Sequence, residues 1–527
     1  MLHCNGADRA IPTLKGGRLP DGPRRKKRVK EGTPVKDGTT YGIGAEGQKL
    51  DWDSIDWASV ERRVTNLRQR IFRATREQKW NQVRSLMKLM LRSRSNLLLS
   101  VRRVTQTNKG KSTPGIDGKV ALTNKARVTL IRQVEEREFW KAKPSRRIYI
   151  PKAGKPGQLR PLSIPTLGNR IAQAIVKNAL EPSWEARFEA HSYGFRPGRS
   201  CHDAIQQCWI RLNKHTRDQW ILDADIKGAF DNISQKYILE AVGPVPGRQL
   251  IRRWLAAGYV ENEQFHRTES GTGQGAIISP LLANIALDGM QRLLGNKFGF
   301  IRYADDFAVT AKSKEQLDLV IPTIEGWLAE RGLALHPDKT QIVKVSEGFN
   351  FLGFNIRTYR DTCLTIPQKG KVLSLLRKLR NWLKDNKTEL PENVLRHFNG
   401  ILRGWCNYYK TGASSRVFGY VRHQIWRMLW KWCLHRHPNK SQAWVRNKYF
   451  AHINGDSWTF HTLVPVKEGL RVMHIFQVSR VKIERHVKVA DRSSPDDPSQ
   501  REYWLKRLKR GSRYALNSDE APKGMRA

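Results

Sequence analysis

The sequence predicts an α+β protein, on three observations. Short apolar runs that deliver acids into turns recur at 220–233 and 298–311, in the pattern of β-strands. Apolar residues spaced three and four apart recur over 52–104, over 314–333 and again from 372 onward, in the pattern of helices facing a core. Hydrophobic residues make up 39% of 527 residues, enough for real cores. A chain of this length has room for three or four domains of about 150 residues each.

Charge narrows the partners. Lys and Arg number 95 against 48 Asp and Glu, leaving a formal charge of +47. So large an excess of one sign implies a polyanion, and nucleic acid is the default. Six cysteines lie scattered without C-x-x-C spacing, which excludes a zinc ribbon or a disulfide framework and fits a reducing compartment. No apolar run reaches the roughly 18 residues of a membrane span. The N-terminus has no hydrophobic leader core. A cytoplasmic protein bound to nucleic acid is the expectation.

Taken in order, residues 1–50 are rich in Gly, Pro, Lys and Arg around Arg24-Arg25-Lys26-Lys27-Arg28, and read as a flexible basic arm. From Trp52 to Val104 the pattern is helical, with apolar stripes at Val60, Val64, Leu67 and Ile71, then at Val83, Leu86/Met87 and Met90. Arg62, Arg63, Arg68, Arg70 and Arg73 fall mostly on the other face and are expected to contact phosphate. Thr107 to Gly118 is a turn-rich basic loop. Ile148 to Lys152 reads as a strand, 153–157 as a turn and Leu159 to Pro165 as the return strand, so Lys152 and Arg160 bracket a hairpin. Cations on a rigid hairpin suit a triphosphate.

Residues 170–217 read as mainly helical, interrupted by a loop at His191 to Arg199. Trp220 to Ile233 is a strand that passes through Gly228 into a turn, carrying the candidate ligands Asp223, Asp225 and Asp231. By period two, Asp223 and Asp225 share a face and Asp231 lies beyond the strand. Gly271 to Ile285 is a glycine-rich loop opening a helix near Pro280. No Gly-Lys-Ser/Thr follows, so it is not a Walker A loop and an ATPase is excluded. Phe298 to Ala311 reads as strand, turn and strand, with Asp305 and Asp306 at the turn and Arg302 as the one nearby cation. Two acids between apolar strands are costly unless a cation sits there. An amphipathic helix over 314–333, a polar turn at His336 to Thr340 and an apolar strand at 349–354 follow.

Acids on two strands beside a glycine-rich loop suit two Mg²⁺ ions, which take carboxylate oxygens and bridge substrate phosphates. With those residues in view, the chain resembles a group II intron-encoded reverse transcriptase and maturase, in a form without the C-terminal endonuclease domain. Tyr303-Ala304-Asp305-Asp306 matches the reverse transcriptase signature, and Lys109–Gly118, Arg160–Thr166, Tyr193–Arg199, Asp225–Ile233 and Gly273–Asn284 match further motifs in family order. His336–Thr340 and Phe351–Phe354 continue the series, and Leu402–Tyr409, His437–Lys440 and Lys448–Phe450 look like the maturase-specific region. The resemblance covers about 50–510. It implies a right-hand polymerase: an RNA-binding N-terminal extension over 51–130, fingers and palm over 131–358, an α-helical thumb and maturase domain over 366–475, and a small basic DNA-binding segment over 476–527.

Carried over by position, Asp225, Asp305 and Asp306 are the metal-binding catalytic triad, holding two Mg²⁺ ions for which Mn²⁺ substitutes. Lys152 and Arg160 match the triphosphate cations, Phe230 the wall that rejects a 2′-hydroxyl, and Gln274 and Gly275 the contacts to incoming dNTP and template. Lys339 lies near the leaving pyrophosphate. Val372, Leu376, Leu379 and Leu383 form a helix stripe, and Lys371, Arg377, Lys378, Arg380 and Lys384 decorate the rest of it, suited to a duplex backbone. Val417, Val421, Ile425, Leu429 and Trp432 form a second stripe, and Trp405 reads as core. Val478 to Val489 alternates as a basic strand and Glu502 to Lys509 as a helix. The implied function is RNA-templated DNA synthesis joined to binding and splicing of the parent intron RNA, with primer–template, dNTPs and target DNA as further partners. The alternatives are a splicing-only RNA-binding maturase and a retron or diversity-generating reverse transcriptase.

Overall fold

In a computed structural model of the chain, the residues described are 50–135, 140–152, 157–213, 218–360, 362–466 and 469–515. The basic arm at 1–49, the turn residues 153–156 and the end of the tail at 516–527 lie outside them. The strands are, in chain order, β1 (Ser145–Pro151), β2 (Leu159–Ile164), β3 (Trp220–Asp225), β4 (Tyr259–Glu261), β5 (Gln264–His266), β6 (Gly299–Tyr303) and β7 (Asp306–Ala311). They continue with β8 (Gln341–Lys344), β9 (Phe349–Phe351), β10 (Phe354–Tyr359), β11 (Thr362–Pro367), β12 (Phe450–Ile453), β13 (Asp456–Val466) and β14 (Gly469–His474).

The central sheet runs β6-β7-β3-β8 with every neighbour antiparallel. Its two faces serve two cores, and side-chain alternation assigns them. Leu222 and Ala224 on β3, with Phe307 and Val309 on β7, face the helices Leu167–Glu185, Ser279–Ala286 and Lys314–Ala329. Ile221 and Ala308 face the other way, towards helix Cys201–Leu212, β9–β11 and the C-terminal helices. Asp223 and Asp225 share the face of Ile221, and Asp306 that of Ala308, so the acids look towards the C-terminal half of the chain.

A second sheet, β2-β1-β4-β5, holds the β1–β2 hairpin at one edge. The helices Trp57–Arg76, Trp80–Arg92 and Arg94–Arg102 pack on Leu167–Glu185 through Val64, Ile71, Met87 and Met90. Asp56 caps the first of these, accepting from the Ser59 amide at 3.1 Å. Both expected C-terminal stripes are internal: Val372, Leu376, Leu379 and Leu383 are buried on Lys369–Asp385, and Val421, Ile425, Leu429 and Trp432 on Ser415–Arg436. Trp405 packs against the same core, as expected.

Four expectations change. The run at 349–354 is two strands, because Leu352 and Gly353 both take positive φ (47° and 82°) and turn the chain back. The 314–333 helix stops at Ala329, ahead of Gly332 at φ 70°. Arg68 does not serve phosphate: it lies largely buried, 2.7 Å from both carboxylate oxygens of Asp496 and 3.0 Å from Glu181. Finally, 478–489 is not a strand. It opens with a short 3₁₀ turn at Val478–Arg480, and beyond it side chains rather than a β-ladder anchor the backbone, as where the Val489 amide donates to the Asp203 carboxylate at 2.7 Å.

Candidate active site

The hairpin β6–β7 places the paired acids. Tyr303 pairs with Asp306, so Ala304 and Asp305 alone form the turn. Ala304 adopts φ 60°, the sign a two-residue hairpin turn needs, at a cost of about 1–3 kcal/mol for a non-glycine residue. Neighbours over-determine it. Gly194 lies so close that a Cβ there would meet the Ala304 nitrogen at 2.4 Å. The Tyr193 amide donates to the Arg302 carbonyl and the Arg302 amide to the His191 carbonyl, each at 2.9 Å. The Arg302 side chain is fully buried and donates to Asn284 Oδ1 at 3.0 Å and to the Ala304 carbonyl at 3.1 Å. It braces the turn from below, rather than pairing directly with the two acids as the sequence suggested. Burial pulls its pKa down to about 10.

Asp225 stands directly opposite Asp306 in the β3–β7 register. Burial first, then the charges of Asp305 and Asp225, push Asp306 up to about 7. Burial likewise raises Asp305, and lifts Asp223 to about 6. The ammonium of Lys339 sits on the Asp225 carboxylate, and the His336 amide donates to the Asp225 carbonyl at 2.8 Å. Among the described residues no three His, Cys, Asp or Glu side chains form a ready-made metal cluster. Asp225 instead meets Asp306 and Lys339. The donor set still fits a hard divalent cation: every candidate ligand is a carboxylate oxygen, and raised carboxylate pKa values are what a cation relieves.

The other expected residues lie on the β1–β2 hairpin, at Phe230 and on the glycine-rich loop. Ile150 pairs with Arg160 and the Lys152 amide donates to the Gln158 carbonyl at 2.8 Å, leaving both cationic side chains exposed at the end of the β1–β2 hairpin. Arg160 is near enough to Asp305, and Arg147 and Lys152 near enough to Asp231, to counter the upward shift of each acid. Phe230 is half-buried, with the Phe195 ring edge-on at 6.0 Å. The glycine-rich loop runs between the Phe230–Asp231 turn and β2. A Cβ on Gly271 would strike the Asp231 carbonyl at 2.5 Å, and Gly275 at φ 107° lies against Ser163. The Ser163 amide donates to the Gln274 carbonyl at 2.6 Å, and Gln274 Oε1 is buried without a hydrogen-bond partner. A cleft of about 370 Å³ opens among these parts, lined by Arg147, Tyr149, Phe230, Asp231, Tyr259 and Gly271.

The bracing by Gly194, Asn284 and Arg302 was not legible in the sequence. The signals available were that Tyr193–Arg199 fell into the motif series without a role of its own, and that Gly273–Asn284 had one only at Gln274 and Gly275.

Three families match in order along the chain. They are the N-terminal domain of reverse transcriptase over 52–134, the reverse transcriptase (RNA-dependent DNA polymerase) over 150–356, and the group II intron maturase-specific domain over 372–450. Protein YkfC of Escherichia coli is 31% identical over 333 residues, 53% of this chain and 87% of that one. Group II intron-encoded protein LtrA of Lactococcus lactis is 28% identical over 417 residues, 60% of this chain and 68% of that one. The chain belongs to the group II intron-encoded reverse transcriptases. This reverse transcriptase is also similar to an uncharacterized 91 kDa protein in a Schizosaccharomyces pombe cob intron, 27% identical over 62% of this chain and 51% of that one. It is an RNA-directed DNA polymerase with a maturase domain, and its family works with divalent metal ions. The maturase match answers the retron alternative. No helix among the described residues is long and apolar enough to cross a membrane.

Proposed function

We propose that Asp225, Asp305 and Asp306 are the acids that hold the divalent ions of this reverse transcriptase, two Mg²⁺ with Mn²⁺ as a substitute. The observation that carries this is the register of Asp225 against Asp306, with Asp305 in the adjoining two-residue turn. Bound there, such ions would supply Lewis acidity towards a primer 3′-hydroxyl and the leaving pyrophosphate. The chain's own groups do the rest. Lys152 and Arg160 hold the dNTP triphosphate from the hairpin end, and Lys339 adds positive charge beside Asp225. Phe230 walls off the 2′-position, its ring kept in place by Phe195. Gln274 offers a buried, unpartnered acceptor, and Gly275 lets the backbone approach nucleotide and template.

In the same reading, 131–358 are fingers and palm, 366–475 thumb and maturase domain, and 476–527 a basic DNA-contacting segment. Lys371, Arg377, Lys378, Arg380 and Lys384 are all exposed on helix Lys369–Asp385, where they track the primer–template backbone. The parent intron RNA is template and splicing partner, and target DNA supplies the primer. Primer extension on poly(rA)/oligo(dT) with Mg²⁺ tests the site. Asp225→Asn, Asp305→Asn and Asp306→Asn should each abolish dTTP incorporation while primer–template affinity stays within about twofold, since transition-state interactions are lost and binding is not. Retained incorporation in any of the three removes that residue from the site.

A further inference from the structure

The C-terminal segment is locked onto the loop that braces the catalytic turn. Asp203, fully buried, is the hub. Its Oδ2 accepts from the Ser200 amide at 2.7 Å and the Ser200 hydroxyl at 2.9 Å, capping helix Cys201–Leu212. Its Oδ1 accepts from His486 Nε2 at 2.9 Å, the Val489 amide at 2.7 Å and Arg507 at 2.8 Å. Arg199 donates to the carbonyls of Ala190, at 2.7 Å, and Asp491, at 2.5 Å. The Trp504 ring lies on Gly198, where a Cβ would meet it at 2.5 Å. Asp496 ties the same segment to Arg68 on the N-terminal helices.

The near end of this loop is clamped by the C-terminal segment, and its far end carries Gly194 against Ala304 and Phe195 against Phe230. Phe195 holds φ 60° with its side chain half-exposed, so nothing in its own burial fixes it. Inside the loop, buried Arg196 pairs with Glu185 and donates to the Glu189 and Ser192 carbonyls, and Asn284 donates to the Gly194 carbonyl. Buried, charge-assisted hydrogen bonds to the C-terminal segment fix the other end.

We infer that the 486–507 segment is a positioning element of the polymerase site, setting the loop that holds the catalytic turn and the Phe230 wall, besides any contact it makes with DNA. The part of this inference that concerns sugar selection rests on the proposed role of Phe230. A segment that served only to contact DNA would have no need to converge on a buried carboxylate of the reverse transcriptase domain.

The test uses the full chain on poly(rA)/oligo(dT), measuring kcat/KM for dTTP against UTP. This ratio does not depend on how much of the protein is folded. Trp504→Ala and the milder Arg507→Ala should lower the ratio about tenfold, as small misplacements at a reacting centre do. Lys482→Ala, at an exposed cation just ahead of the 486–507 segment, should leave the ratio unchanged. Phe230→Val serves as the benchmark. If it lowers the ratio and neither Trp504→Ala nor Arg507→Ala does, the inference is overturned. If Phe230→Val has no effect, the wall reading falls, and kcat per active site, titrated by burst amplitude, decides for the segment. A lower kcat at unchanged primer–template KM in Arg507→Ala supports positioning, and an unchanged kcat overturns it.

Discussion

Asp225 and Asp306 meet across β3 and β7 because Asp225 closes β3, Asp306 opens antiparallel β7, and both lie on the face of Ile221 and Ala308. Burial and the neighbouring acids lift Asp306 to about 7, against about 3.9 for an unfolded aspartate. Between those two values the folded state holds more protons than the unfolded one, so this group withdraws stability as pH rises from about 4 to about 7. If the proposed divalent ion takes the proton's place at Asp306, its benefit grows across the same window. Mg²⁺ should therefore raise the melting temperature more at pH 8 than at pH 5.5, and Asp306→Asn should flatten that difference. An equal Mg²⁺ shift at both pH values in the native protein would show that the ion binds elsewhere. The turn residue Ala304 was legible as part of a hairpin. Its positive φ was not, since that conformation is held by Gly194 and Arg302 from other segments.

At the scale of elements, the β1–β2 hairpin brings two cations to the acids of a different sheet. Arg160 pairs with Ile150 across the hairpin, and its charge is felt at Asp305. A charge-assisted contact of about 1.5–3 kcal/mol corresponds to roughly tenfold to a hundredfold in binding. Arg160→Ala should raise the dNTP KM by that factor with little change in primer–template KM. An unchanged dNTP KM would remove Arg160 from the triphosphate site. Helices with long apolar stripes, such as Lys369–Asp385, were readable because one face meets one core. The 478–489 stretch misled because alternation reports two faces and says nothing of a pairing partner. What it met was the Asp203 carboxylate and the Lys410 carbonyl, which accepts from the Glu484 amide at 3.0 Å.

Across the whole molecule, distant segments share buried charges. Arg68, Glu181 and Asp496 come from an N-terminal helix, the helix under the central sheet and the C-terminal segment. Burial opposes the charge on Arg68, and Asp496 and Glu181 more than restore it. Removing one partner of a buried pair costs about 3–5 kcal/mol. Arg68→Met should lower unfolding stability by that amount and leave the salt dependence of RNA binding unchanged. A salt slope reduced by about one, with stability intact, would return Arg68 to the phosphate-contacting face.

By itself the sequence determined the α+β class, the polyanionic partner, the acids and their order along the chain, and the family they point to. Those follow from local composition, periodicity and motif spacing, which a single chain carries openly. The tertiary structure decided which acids stand opposite one another, that Arg302 braces backbone rather than pairing with the acids, that Arg68 is internal, and that the C-terminal segment grips the loop packed against the β6–β7 turn. Each of these depends on contacts between residues far apart in the chain. A buried charge chooses its partner by proximity after folding, and linear order does not encode that.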